Sequence, residues 1–237
     1  MSWPAEWNEM HLTAEDVAAL LRTSTKQIYR WIDEGELACN WFHDQPRFNR
    51  TELLEWATER RIPIAFEQFL DDEGEDPNFP TLVASLRAGG IHHHVGGLDR
   101  RSVLRSAVGT LKLPPAGGET LVEILLAREA TGSTGIGQGI AIPHVRHPVV
   151  MAGVPASISL CFLDQPVDFC AIDGSPVHTL FLMISTTVRG HLQSLAKLSS
   201  ALHDSAFKTA VLHRESGDEI LREAERVEAT LLRPTGG

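Results

Sequence analysis

A strongly acidic run that contains proline and glycine divides this chain more clearly than any other feature. The run from Asp71 to Pro80 reads Asp-Asp-Glu-Gly-Glu-Asp-Pro-Asn-Phe-Pro. Its like charges repel one another, proline and glycine interrupt regular structure, and its first half offers nothing to a hydrophobic core. The 237 residues are enough for two domains. The sequence therefore predicts an N-terminal domain over residues 1–63, an acidic linker over 64–80 and a larger domain over 81–237.

The composition indicates a globular protein. Hydrophobic residues make up 43% of the chain and charged residues 22%. Apolar runs fall short of the ~18 residues that suggest a membrane span, and the first residues lack the features of a signal peptide. We therefore expect a cytoplasmic protein with no membrane partner. Because Cys39, Cys161 and Cys170 lack metal-binding or redox spacing, we expect them to be reduced and buried.

Two short helices are predicted in close succession before the linker. Thr13 to Asp16 is close to a capping box, and Ser24 to Gln27 is a full Ser-x-x-Gln box. Apolar residues follow each box at helical spacing. The tight turn between the helices predicts a helix-turn-helix. The segment 37–48 suits a hairpin or wing.

Residues 11–60 resemble the excisionase and MerR-like winged helix-turn-helix family. The resemblance is carried by the runs from Leu12 to Leu21, from Ile28 to Leu37 and from Arg47 to Leu53. It implies a mainly α domain whose second helix enters the major groove of DNA while the wing touches the backbone. Gln27 is also a candidate for a capping role. By position, the residues that would face DNA are Thr25, Lys26, Gln27, Tyr29 and Arg30.

Two features of this segment argue against strong DNA binding. The family usually has glycine at the turn where this chain has Arg22, so Arg22 is expected to adopt a left-handed or nearly left-handed backbone. Residues 12–50 carry five basic and six acidic side chains, so the module can neutralise few phosphates. Two interpretations therefore stay open: a DNA-binding domain, or a helix-turn-helix that binds protein or dimerises.

After the linker, helical stripes alternate with apolar runs of strand length. This alternation predicts an α/β fold, with a mixed sheet flanked by helices on both faces. The predicted helices span residues 98–112, 119–130, 191–202, 204–212 and 218–232. The predicted strands span residues 140–142, 157–163 and 179–184.

A glycine-rich run leads directly into Ile-Ala-Ile-Pro-His, which ends at His144. The Gly-x-Gly-x-Gly spacing is neither a dinucleotide fingerprint nor a Walker A loop. Backbone N–H groups of such a loop can hold an anion, and nearby hydroxyls can add to them. A neutral imidazole fixed after a strand is a good nucleophile for a phosphoryl group. The predicted phosphate-binding residues are Ser133, Thr134, Gly135 and Gly137.

The run from Arg128 to His144 resembles the phosphotransferase-system IIA domains of the fructose/mannitol and nitrogen-regulatory type. Its pattern is Arg-Glu-x-x-x-Ser-Thr-Gly-Ile-Gly-x-Gly-Ile-Ala-Ile-Pro-His, and the runs 168–177 and 182–192 match as well. The similarity spans about residues 90–232. It implies that an HPr-type carrier phosphorylates His144, with His191 and Arg128 completing the active site and no cofactor. A IIB protein or a regulatory target would be the next partner. The family often has glycine where this chain has Val145.

Two questions of function remain at this stage. The IIA-like domain either carries a phosphoryl group or only senses a partner, in a protein whose output is DNA or protein binding.

The run His92-His93-His94 suggests a metal site, but on a strand only His92 and His94 share a face. With no carboxylate or cysteine at ligand spacing nearby, we predict no metal.

Overall fold

The computed structural model describes residues 11–65, 79–111, 113, 115–145 and 155–231. Most of the predicted linker, 64–80, lies outside the described residues. The chain divides into two compact units, Met1–Glu75 and Asp76–Gly237. Ala65, at the start of the predicted linker, is buried and donates its N–H to the carbonyl oxygen of Leu20 at 2.7 Å.

The N-terminal unit contains the predicted helix-turn-helix and wing. Its described elements are β1 (His11–Leu12), α1 (Ala14–Leu20), α2 (Thr25–Asp33), β2 (Asn40–Phe42), β3 (Gln45–Asn49) and α3 (Arg50–Glu59). The order of its small antiparallel sheet is β1-β3-β2.

Local hydrogen bonds explain why these short helices start where they do. The hydroxyl of Thr13 accepts from the N–H of Asp16 at 3.2 Å, and the Asp16 carboxylate accepts from the N–H of Thr13 at 2.8 Å. Ser24 caps α2 by accepting from the N–H of Gln27 at 3.2 Å. Between the helices Arg22 has φ 48°, which confirms the predicted left-handed turn.

The second unit is built around a five-stranded mixed sheet. The described elements are α4 (Leu82–Gly89), β4 (Ile91–Val95), α5 (Arg100–Gly109), α6 (Pro115–Ala130), β5 (Gly135–Gly137), β6 (Ile140–Ala141), β7 (Ser157–Val167), β8 (Val177–Ile184), α7 (Val188–His203), α8 (Ser205–Leu212) and α9 (Gly217–Leu231). The strand order is β4-β7-β8-β6-β5. The pairs β4/β7 and β6/β8 are parallel, and β7/β8 and β5/β6 are antiparallel.

Both faces of this sheet are covered, as the sequence predicted. Alternate residues of the two central strands, including Cys161 and Leu180, belong to one core together with Leu104 and Leu121 of the flanking helices. The opposite alternating set, including Phe162, is buried as well. The predicted fold class, an α/β fold with a mixed sheet flanked by helices, is therefore confirmed.

Two strands of the sheet were not predicted. Strand β4 carries the histidine run, where apolar alternation is absent. Strand β5 forms from the glycine-rich run, which pairs with β6 as a tight hairpin instead of staying a loop. Neither segment has the apolar pattern by which strands are predicted, because their pairing is imposed by the rest of the sheet.

The three cysteines are free thiols in different surroundings. Cys161 is fully buried in the sheet, and this burial raises the pKa of its thiol to about 12. Cys39 is half-buried and Cys170 is exposed. The prediction of buried thiols is thus right for Cys161 and wrong for Cys170, which lies in the loop after β7. Within the described residues, no helix combines the length and apolar character needed to cross a membrane.

Candidate active site

His144 lies at the edge of the sheet where two parallel strands end. Strand β6 ends at Ala141, and the carbonyl oxygen of Pro143 accepts from the N–H of Met183 at 2.9 Å. A parallel bridge pairs His144 with the same Met183 of β8. In mixed and parallel sheets the carboxyl ends of neighbouring strands are the usual place for a site. Here that edge carries a histidine.

A single hydrogen bond fixes the proton on the His144 ring. Its Nδ1 lies 2.7 Å from the carbonyl oxygen of Ile142. A carbonyl oxygen can only accept, so Nδ1 carries the proton and donates it. In the neutral ring Nε2 is then the nitrogen with the lone pair, which is the form needed for nucleophilic attack.

His191 approaches His144 from the helix that follows β8. The two ring centroids are 5.1 Å apart, with an interplanar angle of 42°. Helix α7 begins at Val188, three residues before its predicted start at His191, because Thr187 caps it by accepting from the N–H of Gly190 at 3.0 Å. His191 thus lies in the first turn, where the partial positive charge of the helix N-terminus disfavours a positively charged ring.

Arg128 lies in the last turn of α6, at the start of the segment that leads to β5. One guanidinium N–H donates to the carbonyl oxygen of Gly132 at 3.0 Å. The same segment is hydrogen-bonded to the residues that lead to His144: the N–H of Ile142, just after β6, donates to the carbonyl oxygen of Thr134 at 3.0 Å. An arginine guanidinium is able to form charge-assisted, bidentate hydrogen bonds with an anion.

The hydroxyls of the glycine-rich run are hydrogen-bonded to protein acceptors, whereas the sequence predicted that they would bind a phosphate. Ser133 donates its hydroxyl to the carbonyl oxygen of Phe169 at 2.5 Å and accepts from the N–H of Gly135 at 2.9 Å. Thr134 donates both its N–H and its hydroxyl to Glu129. These donors hold the loop itself together. Gly137, the fourth predicted phosphate ligand, pairs with Ile140 in the β5/β6 hairpin.

Gly139 fixes the turn of this hairpin. Its φ of +74° favours glycine, and a Cβ atom there would collide with the ring of His178. The carbonyl oxygen of Gly139 accepts from the N–H groups of His178 and Thr179 at 2.8 and 3.1 Å. The hairpin is thereby locked to β8, the strand beside His144.

The five predicted DNA-facing residues lie along α2. Lys26, Tyr29 and Arg30 are exposed, whereas Thr25 and Gln27 are half-buried. Ile28 points into the core, so the exposed side chains share the outer face of the helix. Arg30 also forms an exposed ion pair with Glu34 at 3.8 Å.

The histidine run does not form a shared ligand set. Nε2 of His92 lies 2.9 Å from the carbonyl oxygen of Gly89, and Nδ1 of His94 lies 3.0 Å from a carboxylate oxygen of Asp164. His94 has φ 60° at an irregularity of β4, which breaks the strand alternation assumed in the prediction. The Asp164 partner, far away in the sequence, could not be seen from local spacing.

Sequence reasoning missed Glu129. This residue is only 5% exposed, and its carboxylate accepts from the N–H and the hydroxyl of Thr134. The available signal was weak: a carboxylate beside Arg128 in the motif, five residues before a threonine.

Comparisons with known proteins agree with this architecture. Residues 86–226 match the family described as "Phosphoenolpyruvate-dependent sugar phosphotransferase system, EIIA 2", and residues 12–61 match a helix-turn-helix domain family. The chain is 39% identical over 114 residues to a Nitrogen regulatory protein of Pseudomonas aeruginosa, covering 46% of this chain and 71% of that protein. It is 36% identical over 101 residues to the PTS system fructose-specific EIIABC component of Bacillus subtilis, covering 42% of this chain and 15% of that protein.

The fold has a counterpart among solved structures. A structural-genomics PTS IIA domain of Streptococcus pyogenes superposes with a TM-score of 0.51 at 17% identity, covering 63% of this chain and 97% of that one. At this identity the likeness concerns the fold. Because the family match extends over more than half of its length, the chain belongs to the phosphoenolpyruvate-dependent sugar phosphotransferase system EIIA 2 family, with a helix-turn-helix domain before the IIA region.

Proposed function

We propose that the protein accepts a phosphoryl group on Nε2 of His144 from an HPr-type phosphocarrier. The observation that carries this proposal is the hydrogen bond from Nδ1 of His144 to the carbonyl oxygen of Ile142. It holds the ring in one orientation with the nucleophilic nitrogen defined. A bond from Nε2 to phosphorus forms as the phosphorus–nitrogen bond of the carrier breaks.

His191 and Arg128 support the transferred group in this proposal. A neutral His191, 5.1 Å from His144 between ring centroids, can donate one hydrogen bond to a phosphoryl oxygen. Arg128 supplies positive charge where negative charge must be held during in-line transfer. Phosphoryl transfer depends mainly on such positioning and electrostatic stabilisation, and the site needs no cofactor for it.

The helix-turn-helix gives this carrier a regulatory output. Lys26, Tyr29 and Arg30 are exposed on one helix, as a DNA-reading helix requires. The alternative is a regulator whose IIA region binds a phosphocarrier, a IIB protein or a regulatory target without taking its phosphate. The similarity to a Nitrogen regulatory protein supports a regulatory role in either case.

Phosphorylation by a purified, phosphorylated HPr-type carrier tests the proposal. We expect acid-labile phosphate on the full-length chain, mapped to His144 and lost in His144→Ala. His93→Ala, which removes an exposed histidine of β4, is the matched control and should be labelled like the wild type. Label that persists in His144→Ala, or that maps to His191, would contradict the assignment. Carrier binding without label would favour the sensing alternative.

A further inference from the structure

Glu129 is a buried acidic residue at the end of α6. Its two oxygens accept from the N–H of Thr134 at 3.1 and 3.2 Å, and one of them also accepts from the Thr134 hydroxyl at 2.6 Å. Both residues are only 5% exposed. A buried carboxylate is costly unless hydrogen bonds compensate it, so this pair fixes the position of Thr134 firmly.

Thr134 is in turn hydrogen-bonded to the segment that carries His144. Its carbonyl oxygen accepts from the N–H of Ile142 at 3.0 Å. The carbonyl oxygen of Ile142 in turn accepts from Nδ1 of His144 at 2.7 Å. Three successive hydrogen-bonded contacts therefore join the end of α6 to the imidazole ring.

This chain of contacts matters because the Ile142 carbonyl decides which ring nitrogen carries the proton. If the β5/β6 hairpin shifts, that carbonyl moves with it and the ring loses the acceptor that selects the Nδ1–H form. The fraction of His144 with its lone pair on Nε2 then falls, and the ring rotates more freely.

We infer that Glu129 is a positioning residue for phosphoryl acceptance: through Thr134 and Ile142 it holds His144 in the Nδ1–H form, oriented for transfer. The inference rests on the proposed function of His144. Glu129 itself contacts neither the ring nor the phosphoryl group in this role, since its oxygens are used by Thr134.

Substitutions of Glu129 in the full-length chain separate hydrogen bonding from charge. Glu129→Leu removes both acceptors, whereas Glu129→Gln can still accept from the Thr134 N–H and pair with its hydroxyl. We expect Glu129→Leu to slow phosphorylation by the HPr-type carrier on the order of 10- to 100-fold. Glu129→Gln should recover most of that loss. Glu119→Leu is the control. Glu119 is an exposed carboxylate of α6 that is paired with Arg105, and its replacement should leave the rate at the wild-type value.

Nitrogen-15 NMR of the His144 ring, assigned by its loss in His144→Ala, provides a second measurement. We expect the Nδ1–H form in the wild type and a mixture of both tautomers in Glu129→Leu. A wild-type ring signal and rate in Glu129→Leu, or a Glu129→Gln as slow as Glu129→Leu, would overturn the inference. If Glu129→Leu does not fold, Thr134→Val compared with Thr134→Ser asks the same question: equal rates in this pair also overturn it.

The two proposals fail in different ways. A wild-type chain that takes no phosphate defeats the proposed function. The NMR measurement does not depend on phosphate, and it judges the positioning role by the tautomer alone.

Discussion

Arg128 lies on α6 and His191 lies on α7, and we propose a separate role for each of them in the transfer. Arg128→Ala and His191→Ala should both fold and both slow phosphorylation of His144. Each removes one donor to developing charge, and the loss of one such donor costs on the order of 10²-fold or more. Single-turnover labelling with phosphorylated carrier measures the effect.

Arg101→Ala is a suitable control for these variants. Arg101 is an exposed arginine of α5 whose guanidinium is hydrogen-bonded to Glu123. We expect it to be labelled at the wild-type rate. If Arg128→Ala or His191→Ala is also labelled at that rate, the corresponding role is wrong whatever the position of the residue in the family motif.

The sequence predicts individual site residues only where a motif carries them. His144, His191 and Arg128 follow from long matching runs, and the structure brings the two histidine rings together. The hydroxyls of Ser133 and Thr134 were predicted to face a phosphate, but their acceptors, Phe169 and Glu129, are set by tertiary packing. A spacing pattern shows which donors exist, and it does not show which acceptor each of them finds.

At the level of elements, Asp204 joins three helices. It ends α7, caps α8 by accepting from the N–H groups of Ala206 and Phe207 at 3.0 Å each, and is hydrogen-bonded to Arg226 of α9. Burial acts to raise the pKa of Asp204, but the hydrogen bonds from Phe207 and Arg226 outweigh it, and the pKa is lowered. The ionised carboxylate therefore stabilises the folded state.

Removal of this cap should lower the free energy of unfolding. We expect Asp204→Ala to cost about 1 kcal/mol, or roughly 2–4 °C in Tm, and Asp204→Asn to keep most of the cap. The pKa of Asp204 is lower in the folded state than in the unfolded state. Its negative charge therefore adds to the free energy of unfolding above the ordinary carboxyl pKa of about 4, and this contribution is lost as the pH falls through the folded-state pKa.

Thermal melts of wild type, Asp204→Ala and Asp204→Asn at pH 7 and pH 3 check both points. The gap between wild type and Asp204→Asn should narrow at the lower pH. A gap that widens on acidification would contradict the sign of the pKa shift.

Helices with caps and an apolar stripe are the elements that the sequence predicts well. Those predicted over 204–212 and 218–232 are observed as Ser205–Leu212 and Gly217–Leu231. The start of α7 was misplaced because Thr187, its cap, lies in a polar run that hides the boundary. Short edge strands such as β5 carry almost no local signal, since their existence depends on a neighbouring strand.

At the level of the whole molecule, the helix-turn-helix should bind DNA weakly and in a salt-sensitive manner. Its five basic residues over 12–50 are balanced by six acidic ones, so few phosphates can be neutralised. We expect anisotropy titrations of the full chain at low salt to show binding to promoter-derived duplexes. Lys26→Ala/Arg30→Ala should abolish it, while Lys208→Ala, which removes a half-buried lysine of α8 in the second unit, should not.

Phosphorylation of His144 should alter this DNA binding. It adds nearly two negative charges at one point of the IIA region, and these can repel an acidic surface or attract Lys26 and Arg30. Titrations with both phosphorylation states measure the difference. Identical curves would contradict the coupling, and no binding in either state would favour a protein-binding helix-turn-helix.

The unequal surroundings of the three thiols give this protein a built-in set of attachment points for spectroscopic probes. Cys161 is protected from maleimides because burial disfavours its thiolate, while Cys170 is exposed in one unit and Cys39 is partly accessible in the other. When a mixture of donor and acceptor maleimides labels Cys39 and Cys170, a fraction of the molecules carries a donor on one unit and an acceptor on the other. Energy transfer between them would follow the separation of the two units as the phosphoryl group arrives at His144.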